Sequence, residues 1–239
     1  MILYGRNPVR EALRGSRSAS VREVWATAGA GREPWLSGVA VRTVAAEEIE
    51  RRCGSGAHQG VCAEAGPYPY ADADQLLAGQ SPLLVALDQI QDPQNLGSIC
   101  RTAECAGAAG VVIPERRAAE VTPAVCKASA GAVEHLPLAR VRNMADFLAQ
   151  ARRAGCWCYG ASAGGDGGER PVPYDAPDYA GAGVVLVLGS EGAGLRPRVA
   201  KACDQLIALP LLGRIESLGV SAAAAAILYE ILQSRRAGP

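Results

Sequence analysis

Three short segments of this 239-residue chain bring amide, acid, guanidinium and glycine together where a ligand can be held. The first, DPQNLGSICR (92–101), follows an apolar run. It places Asn95, Gly97 and Arg101 at a strand-to-helix turn and along the opening helical turns. Open α/β sheets bind ligands beyond the carboxyl ends of their strands, and an Arg four residues after the Gly projects toward that crevice. The bland alternative is an N-capping Asn followed by a solvated Arg. The second segment, GSEGAGL (189–195), follows VVLVL. Gly189, Gly192 and Gly194 let the backbone approach a ligand and leave its amides unshielded. No Gly-Lys-Ser/Thr follows, so it is not a Walker A loop, and it does not open a first βα unit as G-x-G-x-x-G does. Glu191 argues against phosphate and suits a hydroxyl or a cationic ligand; a plain turn is the alternative. The third segment is IALPLLGRIESLGVSAAAAA (207–226). Pro210 stops strand pairing after Leu209, and Ser217 or Ser221 supplies a helix cap around Leu218 and Gly219. The Ala run admits close approach by another helix, from this chain or a second subunit. Blandly read, it is a capped core helix.

The elements that must carry these segments are legible in the same residues. Asn7 and Pro8 open a helix whose Val9, Ala12 and Leu13 share a face, and Gly15 ends it. VREVWATA (21–28), VAVRTV (39–44) and GVCAEA (60–65) read as strands, and AEEIERR (46–52) as a helix. GPYPYADADQ (66–75), with two prolines and no base, is the natural boundary. Beyond it, strand and helix alternate as in a parallel α/β sheet. PLLVALD (82–88), GVVIP (110–114), LPLARV (136–141), CWCYGAS (156–162), VVLVLG (184–189) and LIALP (206–210) are the strands. Helices are expected around 96–107, after Thr122-Pro123, over MADFLAQARRAG (144–155) and over SAAAAAILYEILQSRR (221–236). The Gly/Pro-rich stretch 164–183 is long for a loop.

Composition excludes several classes. No apolar run approaches the roughly 20 residues that span a bilayer, and the N-terminus lacks a secretory signal pattern. A cytosolic protein is expected. Eight cysteines are scattered without C-x-x-C spacing, and only His58 and His135 add imidazoles, so no metal site is expected. Buried thiols acting as small hydrophobes account for them. Bases and acids balance at 24 each, which argues against a purely electrostatic nucleic-acid binder. Residues 1–42 nevertheless hold seven Arg against three Glu, and residues 53–95 hold five acids and no base. Only Lys127 and Lys201 are lysines; guanidinium suits phosphate and base stacking, and a GC-rich genome favours Arg as well.

In order, spacing and strand-end setting, the three segments resemble the SPOUT superfamily of RNA methyltransferases, specifically its TrmH branch of ribose 2′-O-methyltransferases. The branch's first motif, Asn-x-Gly-x-x-x-Arg, is matched by Asn95, Gly97 and Arg101. Its second, Gly-x-Glu-Gly-x-Gly, is matched by Gly189 through Gly194. Its third runs from a Pro after a strand to Ser-Leu-Asn-Val-Ser and is matched at 217–221 except at Gly219, where the family has Asn. YGRNPVREAL (4–13) and HQGVCAE (58–64) look like the substrate domain of the RlmB group, which methylates a guanosine ribose in the peptidyl-transferase region of large-subunit rRNA. The resemblance covers nearly the whole chain.

The resemblance implies an α/β fold: a parallel-sheet SPOUT methyltransferase domain over 81–239, its C-terminal region threaded into a trefoil knot. A small α/β, ribosomal protein L30e-like, RNA substrate-binding domain over 1–66 precedes it, and 67–80 links the two. It also implies S-adenosyl-L-methionine as cofactor, held largely by main chain at Gly189, Leu209 and Leu218. The implied catalytic set is Arg101, Asn95, Glu191 and Ser217, in a homodimer that needs no metal. Family models give proton removal to Arg101. A guanidinium with a pKa above about 12 suits a clamp on the neighbouring phosphate equally well. Arg6, Arg10 and Arg14 are the expected RNA contacts. The implied substrate is a guanosine 2′-hydroxyl in 23S rRNA; the alternatives are a tRNA ribose, an antibiotic-resistance rRNA methylase and a non-catalytic RNA-binding protein.

Overall fold

The computed structural model describes residues 1–162, 170–215 and 217–237. The first part is a four-stranded sheet built from β1 (Ile2–Tyr4), β2 (Val21–Ala26), β3 (Val41–Thr43) and β4 (Val61–Ala65), with helices α1 (Arg6–Arg14) and α2 (Ala46–Cys53). The strand order is β1-β4-β2-β3, parallel only between β2 and β3. Helix α1 buries Val9 and Ala12 and stops at Gly15, as expected. Its start differs: Gly5, not Asn7, is the cap, and it has no capping side chain of its own. Gln59 takes that role from a distance, its Oε1 accepting from the Arg6 amide at 3.0 Å. The neighbouring His58 Nδ1 accepts from the Gly60 amide at 3.0 Å, shaping the turn before β4. YGRNP and HQG are therefore two halves of one cap.

The second part holds α3 (Ala73–Leu77), β5 (Leu83–Asp88), α4 (Pro93–Cys105), β6 (Gly110–Pro114), α5 (Pro123–Ala128), β7 (Leu138–Val141), α6 (Met144–Arg153) and β8 (Cys156–Ala161). It continues through β9 (Val172–Pro173), β10 (Gly183–Gly189), α7 (Pro197–Ala200), β11 (Gln205–Ala208) and α8 (Val220–Ala237). Its strands pair in the order β7-β6-β5-β10-β8-β11-β9, and every pairing is parallel. β5, wholly buried, shows why these strands read as continuous apolar runs: both faces are covered. Leu84, Ala86, Val185 and Val187 meet α3, α6 and α7 on one side. Val85, Leu87, Leu186 and Leu188 meet α4, α5 and α8 on the other. Of the Gly/Pro-rich stretch, residues up to 169 lie outside the described residues. The rest adds β9 and buried Tyr179, whose hydroxyl donates to the Tyr174 carbonyl at 2.5 Å.

The two sheets share one core, in which Leu3 and Val9 join Val125 and Val133. A fully buried Arg17–Glu134 ion pair crosses the seam. Burial alone depresses the Arg17 guanidinium, but hydrogen bonding and charge from Glu134 outweigh it and raise its pKa. Arg17 was part of the N-terminal basic surplus; the fold spends it inside. Residues 67–80, expected to link the two parts, are built into the second. Tyr68 is buried with its hydroxyl near the Val133 and Leu136 carbonyls (3.0 and 3.1 Å), and Leu76 and Leu77 enter the core.

All eight cysteines are free thiols, and Cys62, Cys100, Cys126, Cys156 and Cys158 are buried. Burial pushes Cys62 up to about 11 and Cys126 up to about 12. Among the described residues no group of three His, Cys, Asp or Glu is placed to hold a metal. No described helix is long and apolar enough to cross a membrane. The buried pair and the buried thiols can each be tested. Arg17→Met strands a buried carboxylate and is expected to cost about 3–5 kcal/mol in urea unfolding, much of it regained in Arg17→Met/Glu134→Leu; a loss below about 1 kcal/mol would show that the seam does not depend on the pair. Iodoacetamide at pH 8 is expected to label exposed Cys105 while Cys62, Cys100, Cys126 and Cys158 stay unmodified by mass spectrometry until the chain is unfolded.

Candidate active site

The site assembles where β5 and β10 end side by side. Asp88 and Gly189 are register partners, so the segments that follow each strand leave the sheet together. After β5, Gln89 takes a left-handed backbone (φ 64°) that turns the chain sharply. Asp92 then caps α4, its Oδ1 accepting from the Gln94 amide at 3.0 Å, with Pro93 in the first turn. The cap expected of Asn95 is thus made by Asp92. Asn95, one turn inside the helix, keeps its carboxamide for something else.

That partner is Glu191. Asn95 Nδ2 donates to Glu191 Oε1 at 3.1 Å, joining the first and second segments across 96 residues of sequence. Glu191 sits on a tight loop closed by reciprocal backbone bonds between Ser190 and Gly194 (3.1 and 3.0 Å). Gly192 and Gly194 supply the left-handed backbone that the loop requires (φ 78° and 65°). Gly189 is glycine for a different reason: a Cβ there would lie 2.1 Å from the Gly194 carbonyl carbon, because the loop folds back onto its own strand end. Gln89, Ile90, Gln91, Asp92, Asn95, Ser190 and Glu191 line a cleft of about 320 Å³ at this point.

The third segment reaches the same place. A Cβ on Gly219 would stand 3.9 Å from Glu191 Oε1, and Gly219 itself is left-handed (φ 77°). Ser217 Oγ accepts from the Gly219 amide at 3.1 Å, so it shapes the approach to α8 rather than capping its helical amides. Leu209 follows β11 and packs partly on the core, whereas Leu218 is 54% exposed. From Leu209 to Leu218 no described residue makes a backbone–backbone hydrogen bond. The same stretch exposes Leu211, Leu212 and Ile215. Free main-chain donors and acceptors beside bare apolar side chains fit an adenine-bearing ligand, which needs a flat apolar slot and edge hydrogen bonds.

Gly97 has a packing role, since a Cβ there would meet Ala128 Cβ at 2.4 Å; it lets α4 and α5 touch. Arg101, one turn further, is exposed, and its side chain makes no hydrogen bond or ion pair among the described residues. Asn95 and Glu191 bond each other, and neither bonds the Arg101 side chain. On α1, Arg6 pairs with Glu33 at 2.9 Å on the surface and Arg10 with Glu11 at 2.6 Å in a part-buried setting, while Arg14 is exposed. Asp88 and Arg196 are functional candidates that sequence reasoning missed. Asp88 is fully buried, and its carboxylate accepts from the Arg196 amide, Nε and Nη2 at 3.0, 2.8 and 2.6 Å. An acid ending an otherwise apolar strand was the available signal.

Comparison with known proteins bears directly on this geometry. The SpoU rRNA methylase family model matches residues 82–229, and an RNA 2′-O ribose methyltransferase substrate-binding model matches residues 2–71. A Mycolicibacterium vanbaalenii protein named an uncharacterized tRNA/rRNA methyltransferase is 39% identical over 98% of this chain and 77% of its own. YacO of Bacillus subtilis, assigned to the TrmH family of tRNA/rRNA methyltransferases, is 39% identical over 83% of this chain and 79% of its own. Among solved structures, the SpoU methyltransferase AviRb of Streptomyces viridochromogenes in complex with AdoMet superposes with a TM-score of 0.81 at 26% identity, covering 100% of this chain and 91% of that one. An AdoMet-bound rRNA methyltransferase of Sinorhizobium meliloti gives 0.79 at 27% identity, covering 97% and 86%. With both models matched in series and relatives similar along nearly its whole length, this chain belongs to the SpoU, or TrmH, family of RNA 2′-O-ribose methyltransferases within the SPOUT superfamily.

Proposed function

We propose that the chain methylates the ribose 2′-hydroxyl of a guanosine in large-subunit rRNA, in the cytoplasm. The observation that carries the reading is the meeting of Asn95, Glu191 and Gly219 at adjacent strand ends, beside the main chain of 209–215 and 217–218, which makes no backbone bond to another described residue. The rRNA family model over the catalytic part supports rRNA as substrate. The tRNA/rRNA wording of the relatives keeps a tRNA ribose as the second reading.

In this proposal Gly189, Leu209 and Leu218 hold S-adenosylmethionine by main chain and apolar contact. Bound there, the cofactor supplies an already activated methyl group. The protein's task is then alignment, which contributes on the order of 7–11 kcal/mol when a reacting group is held in line. Asn95 fixes Glu191, leaving the second carboxylate oxygen to accept a hydrogen bond from the ribose hydroxyl. Ser217 sets the turn that brings Gly219 past Glu191. Arg101, whose side chain has no partner among the described residues, grips the neighbouring phosphate and stabilises the alkoxide that develops as the hydroxyl proton passes to the Glu191 carboxylate and on to solvent.

Residues 1–66 supply RNA affinity through Arg6, Arg10 and Arg14, and residues 81–239, with 67–80 packed onto them, carry the chemistry. We further assign the C-terminal threading implied by the family to the return of α8 against α4, after β10 has inserted between β5 and β8. The active form is a homodimer. Ala222, Ala226 and Tyr229 form an exposed stripe along α8, beside exposed Leu211, Leu212 and Ile215.

In vitro labelling of rRNA and tRNA with radioactive cofactor, followed by mapping, is expected to place the methyl on a 23S guanosine ribose; exclusive labelling of tRNA overturns the substrate. Arg101→Ala is expected to keep cofactor affinity and lose most transfer, and a near-normal rate would remove it from the mechanism. Replacing Arg6, Arg10 and Arg14 by Ala is expected to flatten the log–log salt dependence of RNA binding by about 0.7–0.9 for each phosphate no longer neutralised. An unchanged slope would exclude that face. Gly219→Asn is expected to melt within a degree or two of the unsubstituted chain, since Asn tolerates a left-handed backbone and its Cβ would meet no described residue closer than 3.9 Å.

A further inference from the structure

We propose that Asp88 and Arg196, neither of which touches the cleft described above, are positioning residues that hold the cofactor-side loop in its binding geometry; this rests on the S-adenosylmethionine reading of the site. Asp88 is a wholly buried acid ending a strand that is otherwise Leu, Leu, Val, Ala and Leu. An apolar residue would serve the core as well, because a buried ion pair gives little stability over a well-packed hydrophobic replacement. What a carboxylate adds is direction. Its Oδ2 accepts from the Arg196 amide at 3.0 Å, and its Oδ1 from Nε and Nη2 at 2.8 and 2.6 Å. Three donors of one residue thus converge on one rigid strand end.

The position of that residue matters. Arg196 directly follows the Gly189–Leu195 loop, and Asp88 is the register partner of Gly189, where the loop begins. The clamp therefore pulls the exit of the loop back to its entrance, across β5. Between those points Glu191, Gly192, Ala193 and Gly194 are all exposed, so little packing holds the loop in place. The bare Gly189, against which Gly194 closes, tolerates the return only if the chain arrives at the right height. Asp88 also precedes the turn at Gln89 that leads to Asn95. One carboxylate consequently references both partners of the Asn95–Glu191 bond to the same point. The Arg196 side chain is 45% exposed, so losing it leaves most of the core intact.

The test uses the full-length chain and four readouts: S-adenosylmethionine affinity by calorimetry, RNA affinity by filter binding, the separate KM and kcat values, and melting temperature. Arg196→Ala is expected to weaken cofactor binding at least tenfold at a temperature where the protein is fully folded. RNA affinity should stay within about twofold. Arg196→Lys, which keeps the charge and the amide contact, is expected to recover part of the cofactor affinity. Asp88→Asn should match Arg196→Ala in cofactor affinity; if it fails to fold, the Arg196 pair of variants decides alone. Arg196→Ala binding cofactor as tightly as the unsubstituted chain overturns the proposal. So does an equal loss of cofactor and RNA affinity, which marks general damage. If the unsubstituted chain itself binds no S-adenosylmethionine, the cofactor reading fails first and this inference falls with it.

Discussion

The parallel pairing of β10 with β5 is the constraint on which the rest of this molecule depends. It sets Asp88 beside Gly189 and so makes two segments, far apart in sequence, leave the sheet from neighbouring points. Parallel strands have all their carboxyl ends on one edge, where following loops and helix starts converge. From that single arrangement come the Asn95–Glu191 bond and the approach of Gly219 to Glu191. Neither of these contacts is local. Each exists because a late strand was inserted between two earlier ones.

Around this edge, polar groups are used sparingly and with defined partners. Asp88 is buried because Arg196 satisfies it, and Arg17 is buried because Glu134 does. The two pairs sit at different seams. One closes a loop onto its strand, and the other locks the N-terminal sheet to the catalytic one. With Tyr68 and the continuous apolar core, the second seam packs the two parts over a shared interior.

Glycine serves three separate purposes here, which a pattern match does not distinguish. Gly97 permits helix contact, Gly189 permits a chain return, and Gly192, Gly194 and Gly219 adopt left-handed backbone. The last case bears on the family's missing Asn. Asn and Gly are the two residue types that most readily occupy that conformation, so the backbone path is kept while the side chain is absent.

Much of this was legible in the amino-acid order. Strand runs, the Gly15 stop, the Thr122-Pro123 start and the three site segments depend on local spacing and propensity, which sequence carries directly. Cap identities were less secure: Gln59 serves α1 from another turn, and Asp92 displaced Asn95 because Pro93 moved the helix start back. The fate of individual charges was not legible at all. Arg17 and Arg6 look alike in sequence, yet one is buried against Glu134 and the other lies on the surface beside Glu33. Nothing near Asp88 names Arg196 as its partner. Sequence alone determined most of the elements, though not β1, α3, α7 or β9, and which residue types can do chemistry, because those follow from neighbours along the chain. Only the tertiary structure decided which of those residues meet, because strand order and register bring together groups that no local pattern relates.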